Sequence, residues 1–177
     1  MKKNILIYGL IGGVIVSTLM LISVNGLSHR VDYNTSLFIG YASMIIGLSL
    51  VFVGIRNYRD KYNGGVISFG TAFKIGILIV LIASTMYAIA WVIDSSFFMT
   101  NYMEKYAADT LDRLKASGAS KAEIDKQAKD MANIISMSKN PLFNLMTAYL
   151  EIIPVGLVVA SISSLILKRK VPQTQTI

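Results

Sequence analysis

Four apolar runs, each about twenty residues long, alternate with shorter polar segments along the chain. The runs cover residues 5–24, 36–55, 72–93 and 142–167. A hydrocarbon core about 30 Å thick is crossed by about 20 apolar residues in an α-helix. The pattern therefore predicts an all-α membrane protein, a four-transmembrane-helix bundle that forms a single membrane domain over residues 1–177.

The first run could instead be a signal peptide, because Lys2 and Lys3 precede it. The apolar core of a signal peptide has only about 7–15 residues, and small residues mark its cleavage site. The run over 5–24 is longer than that, and Ser23-Val24-Asn25 fits the cleavage pattern poorly. We therefore expect the first run to remain as a span.

Residues 101–140, between the third and fourth runs, alternate polar and apolar positions with a helical period. Ser117-Gly118-Ala119-Ser120 interrupts this pattern, and Ser120 with Glu123 fits a capping box at the start of a second helix. The apolar face of each helix is made of a few residues: Met103, Ala107, either Thr110 or Leu111, and Leu114 in the first, and Ile124, Ala128, Met131 and Ile135 in the second. Two amphipathic helices joined by a short turn should pair as an antiparallel hairpin.

The hairpin has two interpretations at this level. Its apolar faces are thin, which suits two helices that pair with each other and cap the bundle. The same faces could form a docking surface for an envelope protein partner. The sequence also leaves open whether the chain forms a homo-oligomer.

Composition supports a membrane protein and excludes several other classes. Hydrophobic residues make up 54% of the chain and charged residues 15%, with a mean hydropathy of +0.57. Soluble domains carry roughly 25% charged residues. With no cysteine and a single histidine, the chain lacks the usual zinc ligands. We expect no metal, no cofactor and no enzymatic activity.

The distribution of positive charge predicts the orientation. One side of the spans receives nine bases and one acid, Asp60, whereas the segment 94–141 carries seven of each. Because cytoplasmic flanks are rich in Lys and Arg, both termini should be cytoplasmic and the hairpin should lie outside. Bases beside apolar runs suit anionic lipid headgroups, and we expect no nucleic-acid partner. The expected headgroup contacts are Arg56, Arg59, Lys61, Lys74, Lys168, Arg169 and Lys170.

Glycine has two uses in this sequence. Gly64-Gly65 breaks the chain between the second and third spans and should act as a loop hinge; no phosphate-loop Lys-Ser/Thr follows it. Small residues also recur at intervals of four or seven in every span, which favours close helix packing. These stripes are Gly9-Gly13-Ser17, Gly40-Gly47-Gly54, Gly76-Ala83-Ala90 and Gly156-Ala160-Ser164.

The one acid deep in a span is Glu151, and it stands shortly before Pro154 and Gly156. Proline cannot donate its amide, so a kink is expected there. An acid at that depth is costly and usually faces other helices or a wet cavity. Polar residues expected at a similar depth, or able to reach it, are Tyr41, Ser84, Tyr87 and Arg30, and we expect a buried polar cluster with Glu151.

Glu151 has three interpretations. It could lock helix contacts by hydrogen bonding, it could relay protons or cations, or it could face lipid near the headgroups. Replacing Glu151 by Gln separates the first two, because Gln keeps hydrogen bonds but does not titrate.

Several sequence blocks resemble a known family. They are Gly40-Tyr41, Met44-Ile45, the run from Gly54 to Lys61, Gly64-Gly65-x-Ile67-Ser68-Phe69, Asn140-Pro141 and the run from Glu151 to Leu157. Together they are similar to the membrane-protein family called domain of unknown function 4199, common in Bacteroidota. The resemblance implies a multi-pass protein of the bacterial inner membrane and implies no particular activity.

Two functions remain open from the sequence. The first is a non-enzymatic scaffold or modulator of an envelope complex, acting through the hairpin. The alternative is a small transporter or proton-coupled unit centred on Glu151. We favour the scaffold because Glu151 is the one acid inside the four spans and because only the fourth span is expected to be interrupted. Transporters usually carry matching interruptions in two halves.

Overall fold

The computed structural model describes residues 1–27, 33–97 and 102–169, and these residues form an all-α protein. The helices, in chain order, are α1 (Lys2–Ile22), which continues as a π-helix over Ser23–Leu27, α2 (Tyr33–Leu48), α3 (Leu50–Tyr62), α4 (Phe69–Phe97), α5 (Tyr102–Ala116), α6 (Lys121–Ser138) and α7 (Pro141–Leu167).

Four helical stretches are long and apolar enough to cross a membrane, as predicted. They are Lys2–Gly26, Leu37–Tyr62, Phe69–Phe97 and Pro141–Leu167. Each coincides with one of the apolar runs, and each extends beyond the limits drawn from hydropathy at one end or both, the fourth by a single residue. The chain is therefore a multi-pass membrane protein by the length and composition of its helices.

The described chain forms two compact units. The first comprises Met1–Ala88 and Ala148–Ile177, and the second comprises Ile89–Thr147. The greater part of each of the four long helical stretches belongs to the first unit. The second unit contains α5 and α6.

The second span is two helices, because α2 ends at Leu48 and α3 begins at Leu50. The Ser49 amide keeps the regular helical bond to the Ile45 carbonyl at 2.9 Å, and the Ser49 hydroxyl donates to the Ile46 carbonyl at 2.6 Å, so the division is only one residue wide. A serine hydroxyl that bonds its own preceding turn competes with the regular helical ladder. This division of span two was not predicted from the sequence. In span four, α7 continues as one helix through Pro154, where a kink was predicted.

Glycines bring the helices of the first unit into close contact. A Cβ atom added at Gly47 would lie 2.6 Å from Val16 Cβ and 3.0 Å from Val16 Cα, so α2 meets the backbone of α1 there. Gly54 similarly lies against Ile79 of α4. Close approach at small residues compensates for the missing hydrophobic force between helices in lipid.

Helix α4 has glycine contacts with three neighbouring helices. Ile82 of α4 fills the space beside Gly9 of α1, and Val80 of α4 lies against Gly156 of α7. A Cβ atom added at Gly76 of α4 would lie 3.2 Å from Ile55 Cδ1 of α3 and 3.1 Å from Ala160 Cβ of α7. These contacts make α4 a shared packing surface for α1, α3 and α7.

In the second unit, α5 and α6 pack against each other, as predicted for the hairpin. The predicted capping box is also confirmed. The Glu123 amide donates to Ser120 Oγ at 3.3 Å, and the Ser120 amide donates to Glu123 Oε2 at 2.8 Å. Gly118 takes a positive φ of 79° in the turn between the helices, which glycine adopts without strain.

Candidate functional site at the contact of α4 and α7

A hydrogen bond joins α4 to α7 within the first unit. The hydroxyl of Tyr87 donates to Glu151 Oε2 at 3.4 Å. Tyr87 is buried, with 5% of its surface exposed, whereas Glu151 is exposed. The tyrosine therefore lies between the helices, and the carboxylate lies at the outer edge of their contact.

A second hydrogen bond joins the same two helices. The hydroxyl of Tyr149 donates to Thr85 Oγ1 at 2.7 Å. Residues two positions apart on a helix are turned by about 200° from each other, so this bond and the Tyr87–Glu151 bond lie on opposite flanks of the contact. Polar bonds on both flanks set the rotation of α7 against α4.

Ser84 lies between these two bonds and is fully buried. Its hydroxyl has no hydrogen-bond partner among the residues that the structure describes. Ile152 of α7 is also fully buried. The centre of the contact is therefore apolar apart from the Ser84 hydroxyl.

The members of the predicted polar cluster differ in their positions. The structure brings Tyr87 and Glu151 together and places Ser84 in the same helix contact. Tyr41 has 46% of its surface exposed on α2, and no hydrogen bond among the described residues joins it to Tyr87 or Glu151. Arg30 lies outside the described residues.

The residues proposed as a helix kink lie inside a continuous α7. Pro154 is exposed, and Gly156 is buried against Val80 of α4. Gly156 therefore has a packing role: a Cβ atom there would overlap the Val80 side chain.

The basic residues near the Leu167 end of the first unit differ in their surroundings. Arg59 donates to the Leu167 carbonyl at 3.3 Å and to Asp60 at 2.6 Å, and only 17% of its side chain is exposed. Arg56 is 3.6 Å from Asp60 with 64% of its side chain exposed. The exposed bases at this end, or one turn inside α4, are Lys61, Lys74, Lys168 and Arg169. Lys170 lies outside the described residues.

Gly64 and Gly65, the predicted loop hinge, both adopt positive φ angles, of 62° and 80°. The Gly65 amide donates to the Arg59 carbonyl at 2.9 Å, which closes the end of α3. Glycine is favoured at both positions because other residues rarely adopt such angles.

Two contacts at this end were not found in the sequence analysis. Ile67 and Arg169 exchange backbone hydrogen bonds of 3.0 and 2.9 Å in an isolated antiparallel bridge. The buried Asn4 side chain donates to the Gly54 carbonyl at 2.9 Å and accepts from Asn57 at 2.6 Å. The sequence does place Asn4 and Asn57 at the same end of the first and second predicted spans, and this is the feature that could have indicated their contact.

The fold and these contacts define a class, an all-α multi-pass membrane protein whose helices pack through glycines. Within that class, the model of the family described as "Protein of unknown function (DUF4199)" matches residues 7–169, and the chain belongs to this family. No curated protein and no solved structure matches the chain in the corresponding searches. The family resemblance expected from the sequence is thus confirmed.

Proposed function

We propose that this protein is a non-enzymatic scaffold or modulator of a protein complex in the bacterial inner membrane. Both termini face the cytoplasm in this proposal, and the α5–α6 hairpin lies outside. The charge asymmetry of the flanks supports the orientation, since nine bases fall on one side against a single acid. No cofactor is part of the proposal.

The second unit is the observation that carries the scaffold function. Two amphipathic helices of a separate compact unit are inserted between the third and fourth spans. Ile134 and Met137 of α6 stand one turn apart with 39% and 51% of their surfaces exposed. Apolar side chains grouped on a polar helix are typical of a protein contact.

The exposed bases near the Leu167 end support a second element of the proposal, contact with anionic lipid headgroups. Arg56, Lys61, Lys168 and Arg169 are exposed there, and each base near an anionic surface contributes about 1 kcal/mol to attraction. Arg59 contributes less directly because its guanidinium is bonded within the protein.

Affinity purification of the tagged full chain in a mild detergent tests the scaffold function. Ile134→Ser with Met137→Ser should remove a stoichiometric partner, whereas Asp125→Ser with Lys129→Ser, polar exposed positions on another part of the α6 surface, should retain it. Deletion of residues 101–140 should give the same loss. Recovery of the chain without any partner, in the native form as in the variants, would contradict the proposal.

A proton-coupled transporter is the second candidate. A tyrosine–carboxylate pair that joins α4 to α7 favours it, because an acid inside a span is typical of a proton pathway. Proton flux into liposomes that contain the purified protein tests it: flux abolished by Glu151→Gln would favour the transporter, and absence of flux in the native protein would exclude it.

A further inference from the structure

Glu151 has more capacity for hydrogen bonding than the described protein uses. An ionised carboxylate accepts about four hydrogen bonds, and Glu151 receives one, from Tyr87, among the described residues. Its side chain is exposed on the outer edge of the contact between α4 and α7. An acceptor therefore remains on a surface that faces away from the described residues.

The depth of Glu151 makes that exposure costly in lipid. Glu151 precedes Leu167, the last residue of α7, by 16 residues, which corresponds to about 24 Å along a helix. That depth is inside a hydrocarbon core of about 30 Å. Acids inside a core are normally paired or face a cavity, because hydrocarbon donates no hydrogen bonds.

The surface around Glu151 has the character of a membrane-embedded contact. Its neighbours Leu150 and Val158 have 72% and 58% of their surfaces exposed, and Pro154 is exposed one turn further on. An apolar helix surface with one carboxylate complements a second apolar helix that carries one donor or cation. Such polar contacts are what add specificity to helix association in lipid.

A second copy of this chain fits the surface poorly. A two-fold contact at this surface would place Glu151 close to its own counterpart, acid against acid. Lys74, the base deepest in a described span, stands two residues before Gly76, which packs on Ala160. The level of Lys74 along α7 is therefore more than two helical turns from Glu151, so a copy of Lys74 is not the base that would pair with it.

We propose that the exposed edge of α7 at Glu151 is a lateral docking surface for a transmembrane helix of another protein that carries a Lys or Arg within its span. The carboxylate pairs with that base, and Leu150, Pro154 and Val158 pack against its apolar neighbours. Tyr87 holds the carboxylate in place from behind. The residues of this surface belong to the first unit and those of the hairpin to the second, so the two docking proposals stand or fall independently.

The test uses a photo-crosslinking amino acid, benzoylphenylalanine, at Leu150 of the full chain in its native membranes. Val14, 54% exposed on α1, is the control position. Mass spectrometry of the product at Leu150 should identify a peptide with a Lys or Arg inside an apolar segment of about 20 residues. Products with lipid alone, with another copy of this chain, or with a span that lacks a base would overturn the proposal.

Substitutions at Glu151 then test the charge. Glu151→Gln should lower the yield of that product at least about tenfold, because removing one member of a desolvated charge pair is costly. Glu151→Asp keeps the charge and should retain more of the product than Glu151→Gln. Equal yields from the two variants would overturn the proposal. Thermal unfolding in detergent and the hairpin-dependent purification serve as controls for folding.

Exchange of the charges completes the test. Glu151→Lys should abolish the product, and the reciprocal change of the partner's base to Glu should restore it. Failure of restoration, in proteins that remain folded and inserted, would show that the two side chains do not pair.

Discussion

At the scale of single residues, the part of the α4–α7 contact that lies in the first unit has two hydrogen bonds whose donors are both tyrosines. The Tyr87 hydroxyl bonds Glu151, and the Tyr149 hydroxyl bonds Thr85. Each bond crosses between helices that otherwise meet there through apolar and small side chains. They fix which face of α7 meets α4, a choice that apolar packing alone leaves less specific.

Tyr87→Phe removes one of these donors and leaves the ring in place. We expect a loss of about 0.6 kcal/mol in the free energy of unfolding, the mean for hydrogen bonds between membrane helices. Reversible unfolding in detergent micelles measures it, and a double-mutant cycle with Glu151→Ala isolates the coupling. Tyr149→Phe is the matched control and should be additive with Glu151→Ala. A coupling of zero between Tyr87 and Glu151 would contradict the assignment.

At the scale of helices, glycine decides how closely neighbouring elements approach. Gly47 stands against the backbone of Val16, whereas Gly40, on the same helix, has open space around its Cα among the described residues. The two positions belong to one predicted stripe and have different surroundings. Spacing alone does not say which glycine of a stripe lies at a contact, since that depends on which helix passes it.

Gly47→Ala should separate α1 and α2, because the new methyl group overlaps Val16. The expected loss is about 1–3 kcal/mol in the free energy of unfolding, typical of overpacking. Gly40→Ala is the control within the same helix and should be neutral or stabilising by up to about 1 kcal/mol, since alanine favours helix. Unfolding of both variants in the same detergent measures the difference. Equal effects at the two positions would refute the contact at Gly47.

The capping box gives the start of α6 a dependence on pH. Hydrogen bonds from the Ser120 side chain and backbone lower the pKa of Glu123 below its usual 4.5. A carboxylate with a lowered pKa stabilises the folded state above its unfolded pKa, and the contribution is lost as pH falls through the folded value. Protection from hydrogen exchange in the first turn of α6, corrected for the intrinsic exchange rate, should therefore fall relative to that in α5 as the pH falls below about 4.5. In Glu123→Gln this pH-dependent loss of protection should disappear; its persistence would refute the cap.

At the scale of the whole molecule, the proposed orientation makes a single prediction with four readouts. Topology reporters fused after Lys61 and Lys170 should be active in the cytoplasm, and those after Asn34 and Ser117 outside it. The reason is the excess of bases on one side of the spans. A cytoplasmic signal at Ser117 would reverse the orientation and move the hairpin to the other side.

The spans and the cap of α6 could be predicted from the sequence, whereas the division of span two could not. The spans follow from hydropathy, because an apolar segment must match the thickness of a bilayer wherever it lies in the chain. The cap at Ser120 follows from residues three positions apart. The break at Ser49 was missed, since one serine in an apolar run is common and its hydroxyl bonds within the local helix.

The polar site was predicted only in part: a buried cluster was expected, and an exposed Glu151 was one of the three interpretations that the sequence left open. Glu151 was identified because an acid inside a span is unusual. Tyr87 was identified because it lies at about the same distance from the outer end of its span as Glu151 does. The side of α7 on which Glu151 lies depends on helix rotation, and the structure places it at an exposed edge.

The amino-acid sequence by itself determined the helical class, the four spans, the cap at Ser120 and the family, because each depends on residues that are near one another in the chain. Only the tertiary structure decided which glycines lie at contacts, that Tyr87 meets Glu151, and that Asn4 reaches Gly54 and Asn57. These pairings join residues dozens of positions apart. They are set by the rotation and depth of whole helices, which follow from packing in three dimensions.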